Sequence, residues 1–172
     1  MRNIVIIILA LIGLFSCQKE EENLYTNNEL SYQLFQGSEF NYTGEVRVRE
    51  RIGGEVEITL TLNGNKGNTS YFFPAHLHFG GYDSADSPIA SLLTPIDIRE
   101  LKSTTVLGKL SDGRSLSFDD FKNFDGHIKV HLADSGPDYA VILSVGNVGR
   151  NSNALVDFDP SKMTMCSPYM PE

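Results

Sequence analysis

Over 45–52 and again over 55–62 the chain alternates apolar and polar side chains with a period of two, the mark of half-buried β-strands. Over 45–52, Val46, Val48 and Ile52 share one face, and Glu45, Arg47, Arg49 and Arg51 share the other. Gly53-Gly54 follows, and glycine reaches the positive φ of a two-residue hairpin turn without steric cost. Alternation resumes over 55–62, with Val56, Ile58, Leu60 and Leu62 facing in and Glu57, Thr59 and Thr61 facing out. These two runs predict a β-hairpin. Further strands are predicted at 32–35, 71–79, 104–110, 127–132, 139–145 and 154–158. Residues 63–67 and 134–137 read as turns. The segment 80–102 has no clear period and reads as a long loop, a type that is often functional. One short helix is predicted after Ser117, which caps it, with Asp120 at the third position and Phe118 and Phe121 on one face. Many short strands separated by turns predict an all-β sandwich or barrel.

The first residues follow a different pattern. Arg2 precedes an apolar run over 4–15, which ends at Ser16-Cys17. A basic residue, a short apolar stretch and a small residue form an export signal, and the run is shorter than the roughly 20 residues of a membrane span. Leu14-Phe15-Ser16-Cys17 resembles the lipobox of bacterial lipoproteins. That resemblance implies removal of residues 1–16, lipidation of Cys17 (palmitate among its acyl chains) and anchoring to the outer membrane. Residues 17–30 are expected to be a polar tether; Lys19 followed by Glu20, Glu21 and Glu22 resembles a signal for surface exposure. The domain is then expected over 31–160, with a tail over 161–172. Loss of Arg2 leaves 13 basic residues against 22 acidic ones, a net charge of −9. So acidic a chain, without a basic run, is not expected to bind nucleic acid.

The four histidines fall into two pairs, His76 with His78 and His127 with His131. On a strand each pair points to one side, opposite Ala75, Leu77 and Phe79 in the first case and Ile128, Val130 and Leu132 in the second. Both pairs are therefore expected on the solvent side. Positions two apart on a strand lie about 6.7 Å apart, within reach of one metal ion, whereas positions four apart lie about 13 Å apart. His76 and His78 should thus combine with one of His127 and His131. Neutral imidazoles suit copper or zinc.

Gly44-Glu45-Val46-Arg47-Val48, the hairpin with Val56-Glu57-Ile58-Thr59-Leu60, and His76-Leu77-His78-Phe79-Gly80 resemble the opening strands of the Cu/Zn superoxide dismutase fold. Gly126-His127-Ile128-Lys129-Val130-His131 and Gly146-Asn147-Val148-Gly149-Arg150 resemble its later copper strand and glycine-rich turn. The same skeleton is similar to the chordin-like (CHRD) domain, and residues 118–131 look closer to bacterial CHRD-like lipoproteins. The resemblance covers roughly 44–151. It implies a Greek-key sandwich or barrel with copper held by His76, His78 and His131. His127 would be a fourth ligand only if its strand carried a bulge. The chain also departs from the dismutase pattern. Residues 80–125 contain no histidine, so no bridging histidine and no zinc site are expected. Arg150 stands one place from the family's active-site arginine and reads as a solvent-facing loop residue.

Met163, Met165 and Met170 cluster with Cys166 at the C-terminus. Thioethers and thiolates suit Cu(I), which makes Met163, Met165 and Cys166 secondary copper candidates beside the plainer reading of a packed tail. Three functions follow from these observations. The first is a copper-binding envelope protein, with at most weak dismutase activity. The second is a non-enzymatic binding or structural lipoprotein that has lost its metal. The third is a module that binds a protein or glycan through residues 80–102.

Overall fold

The computed structural model describes residues 24–85 and 87–165. The export signal, Cys17, most of the tether, Cys166 and Met170 lie outside the described residues.

Eight strands form the fold: β1 Tyr25–Gln36, β2 Thr43–Arg51, β3 Val56–Asn63, β4 Phe72–Phe79, β5 Ile89–Asp97, β6 Lys102–Val106, β7 Asp125–His131 and β8 Ile142–Gly149. They close into one antiparallel barrel in the order β1-β2-β3-β6-β5-β4-β7-β8. The chain crosses over after β3 and again after β6, which sets β4 beside β7 rather than β3. The helix α1, Phe118–Lys122, lies in the second crossover. Ser117 and Asp120 form the expected capping box, and Phe118 and Phe121 are buried. Among the described residues every strand has a paired neighbour on both sides, which limits the open sheet edge.

The inward residues of β2, β3, β4 and β7 form one core that includes Val46, Val48, Ile58, Leu60, Phe73, Leu77, Ile128 and Val130. Each such side chain, fully withdrawn from water, stabilises the barrel by about 1.5–3 kcal/mol. A smaller apolar cluster of Tyr82, Ile142 and Val145, backed by Phe158 and Met163, lies apart from it.

Several local expectations are corrected. The predicted loop over 80–102 contains β5. Its buried residues Ala90, Leu93 and Ile96 recur every three positions instead of two. Pairing explains this. Between Phe73 and Ala75, and again between Leu77 and His78, β5 carries one residue more than β4. Each bulge resets the alternation, and Pro95 is accommodated at the first of them. Residues 25–30, placed in the tether, belong to β1, and Tyr25, Glu29 and Leu30 pair with Arg51, Arg49 and Val48 of β2 on either side of a register irregularity. Residues 154–158, predicted as a strand, hold a 3₁₀ turn over Leu155–Asp157. The predicted strand over 139–145 starts at Ile142, behind a 3₁₀ turn over Pro137–Ala140.

The β2–β3 hairpin is also tighter in detail. Gly54 N–H bonds to Arg51 O (2.8 Å) and Arg51 N–H to Glu55 O (2.9 Å). The loop is therefore three residues long, Ile52, Gly53 and Gly54, and only Gly54 takes positive φ, +85°. Such a loop turns Ile52 outward, 68% exposed, rather than into the core. Glu57 does face out of the barrel, yet it is buried. Tyr25 Oη–H and Arg49 Nη2 each bond to Glu57 Oε1 at 2.8 Å and cover it.

Candidate metal centre

The register of two neighbouring strands builds the site. On β4, Ala75 and Leu77 enter the core, so His76 and His78 project outward. On β7, Ile128 and Val130 enter the core, so His127, Lys129 and His131 project outward. The strands are antiparallel, with His78 opposite His127 and His76 opposite Lys129. His131 lies one outward position beyond Lys129, diagonal to His76. The His76 and His131 ring centroids are 5.0 Å apart, and those of His76 and His78 5.9 Å. His76, His78 and His131 each present a potential ligand atom within 4.8 Å of the other two. His127 is not part of that group. It stacks on His78, with centroids 4.8 Å apart and ring planes 6° from parallel. The register irregularity beside His131 lies in the β7–β8 pairing, where Val130 faces Ser144 but His131 faces Ile142. The extra residue therefore sits in β8.

The sequence placed these histidines on a wet face, and the structure corrects this. His78, His127 and His131 are wholly buried, and His76 is 6% exposed. They lie outside the apolar core but under an outer layer. The segment after β4 and the turn before β8 form part of that cover. Tyr139 stacks on His131 with centroids 4.6 Å apart and planes 3° from parallel. Strand periodicity separates the two faces of a sheet, and it carries no information about loops folding back over the outer face.

The cover also sets the chemistry of the rings. His78 Nδ1 meets Ser87 O at 2.9 Å, His131 Nδ1 meets Tyr139 O at 2.8 Å and His127 Nδ1 meets Gly80 O at 2.7 Å. A carbonyl oxygen only accepts, so each Nδ1 carries the proton and Nε2 is the unprotonated nitrogen of each neutral ring. His131 Nε2, His127 Nε2 and His76 Nδ1 are buried without a hydrogen-bond partner. Burial holds the His76 and His78 rings neutral, with pKa values lowered to about 3, helped by His131 beside His76 and by His127 beside His78. Burial likewise lowers His127 and His131 to about 4. Neutral imidazoles with free lone pairs are the form that binds a metal ion. The orphaned nitrogens and the all-imidazole donor set therefore fit a copper or zinc ion.

Two residues of this environment were missed in the sequence. Lys129 is wholly buried between His127 and His131. Its Nζ donates to Thr164 O at 2.6 Å and lies 3.4 Å from Thr164 Oγ1. The alternating His-x-Lys-x-His spacing was the available signal, because it puts the amine on the histidine face. Tyr139 had no such signal, since its role follows from the fold of a turn. Arg150 is largely exposed and pairs with Asp125, Nη2 to Oδ2 at 2.7 Å. Of the sulfur candidates, Met163 packs near Tyr82, Ile142 and Val145, and Met165 is exposed. Both line a hollow with Ile142 and Pro160 that contains none of the histidines. Comparison with protein-family models, curated proteins and solved structures finds no match to this chain.

Proposed function

We propose that this chain is a lipid-anchored envelope protein whose barrel holds one copper ion through His76, His78 and His131. One observation carries the reading: three neutral, buried imidazoles bring ligand atoms within 4.8 Å of one another. Carbonyls take Nδ1 of His78 and His131, which makes Nε2 the unprotonated nitrogen of each, and Nδ1 of His76 is buried without a hydrogen-bond partner. These are the atoms that would bind the ion. A bound copper ion supplies Lewis acidity and a one-electron couple. The protein holds the rings in one tautomer, excludes bulk water and leaves His76 nearest to solvent. The choice of copper over zinc draws on the resemblance of the two histidine motifs to the dismutase and CHRD pattern. The envelope anchor draws on the lipobox-like Leu14-Phe15-Ser16-Cys17.

The competing reading is a binding or structural module that has lost its metal, and Lys129 favours it. A buried ammonium beside the rings acts against a second cation. Calorimetric titration with Cu(II) decides between the readings. A soluble form starting after Cys17 retains every strand, since β1 begins at Tyr25. Wild type should bind one equivalent, with affinity lowered about 100-fold or more in His76→Ala and His131→Ala. Equally weak binding by all three proteins would eliminate the copper site. If copper binds, superoxide scavenging no faster than that of free copper would restrict the function to binding rather than turnover.

A further inference from the structure

A cavity of about 650 Å³ opens at the end of the barrel beside α1, lined by Phe79, Phe124, Arg114, Arg150, Asp120 and Asp125 among others. Its volume is in the range of small-molecule sites. None of the three clustered histidines lines it, so it is a separate place. The Phe79 and Phe124 rings lie 5.7 Å apart and form an apolar surface. The Arg114 guanidinium carbon lies 5.9 Å from the centre of the Phe79 ring.

The charges around this surface come in opposite pairs. Arg150 binds Asp125 Oδ2 through Nη2, and Asn151 Nδ2 donates to Asp125 Oδ1 at 2.9 Å. The other guanidinium donors of Arg150 remain for a ligand. Arg114 uses Nε on Asp112, 2.7 Å, which leaves both its terminal nitrogens. Asp120 accepts from Ser117 N–H and Oγ–H through Oδ2 alone, so Oδ1 is not used by the helix cap. A simple anion here would meet two carboxylates, and a simple cation two guanidiniums. A molecule that carries both charges satisfies both sets, with an apolar group on the phenylalanines.

We infer that this cavity binds a small zwitterion with an apolar side chain, the size and chemistry of an aromatic amino acid. The carboxylate pairs with Arg114 and Arg150, the ammonium group with Asp120, and the side chain lies against Phe79 and Phe124. The inference does not depend on copper.

Isothermal titration and saturation-transfer NMR on the full chain in detergent test it, with L-phenylalanine as probe. 3-Phenylpropanoate, which lacks the amine, and phenethylamine, which lacks the carboxylate, are the comparators. L-phenylalanine should bind about tenfold more tightly than either. Arg114→Gln should weaken it by a similar factor, as should Asp120→Asn, whose remaining oxygen can still cap α1. Both variants should remain folded and unfold cooperatively on heating. Equal affinity for the three probes, no saturation transfer to L-phenylalanine, or undiminished binding in folded Arg114→Gln would each overturn the inference.

Discussion

At the residue scale, the histidine cluster shows how a hydrogen bond to the backbone prepares a side chain for chemistry. His78 and His131 each donate Nδ1–H to a carbonyl of the covering segments, which fixes the tautomer before any ion arrives. The same burial makes the local charge decisive. Lys129 acts on His78, His127 and His131 in one direction, lowering their affinity for a proton. It must act on a metal cation in the same sense. Lys129→Met keeps the volume and removes the charge. With an effective dielectric near 20, removal of a unit charge a few ångströms away is worth about 1–4 kcal/mol, so copper affinity should rise about tenfold or more. Calorimetry on the variant checks this, and an unchanged or lower affinity would mean that the ammonium does not act on the site.

At the element scale, closure of the barrel depends on a side chain. The β1–β8 ladder consists of two residue pairs, Phe35 with Val145 and Gln36 with Ser144. Where it stops, Asn153 takes over. Its Oδ1 accepts from Gln33 N–H at 2.6 Å, and its Nδ2 donates to Gln33 O at 3.0 Å and Asn147 O at 2.9 Å. The amide imitates a neighbouring strand. Gly146 permits the close approach, since a Cβ there would fall 2.0 Å from Gln33 O. Asn153→Ala leaves these backbone groups without their partner and should cost about 2–3 kcal/mol. Denaturant unfolding measures that loss. Hydrogen exchange should quicken at Gln33 and stay slow at Leu77 and Ile128; uniform quickening would show that Asn153 is not a local clasp.

At the scale of the whole molecule, four buried neutral histidines tie stability to pH. Their folded pKa values of about 3 to 4 lie below the ordinary value of 6.5. The unfolded chain therefore takes up protons before the fold does. Stability is intact above pH 6.5 and falls as the pH drops from there toward 3 to 4. The thermal midpoint should follow this curve, and a midpoint that stays level from pH 7 to pH 4 would contradict it. Copper binding to the folded state should push the decline to lower pH, because the ion competes with protons for the same lone pairs. The proposed anchor is tested on the intact chain. Cys17→Ser should move the protein from the membrane pellet to the soluble fraction, and unchanged sedimentation would remove the lipid anchor from the proposal.

Much of the architecture was legible in the chain. Period-two patterning located β2, β3, β4 and β7, and the Ser117–Asp120 spacing located α1, because such signals depend on neighbours within a few residues. The two histidine pairs and their shared outward side were readable for the same reason. β5 was not, because two bulges break the period that identifies a strand. Nor was the burial of the histidines, which comes from Gly80, Ser87 and residues 137–140 lying over the sheet. The pairing of His78 with His127, the approach of His131 to His76 and the enclosure of Lys129 all arise from the register between β4 and β7. Local side-chain chemistry decides which face of a strand turns inward. Which strands become neighbours, and what then lies over them, is decided by long-range packing that a short stretch of sequence does not encode.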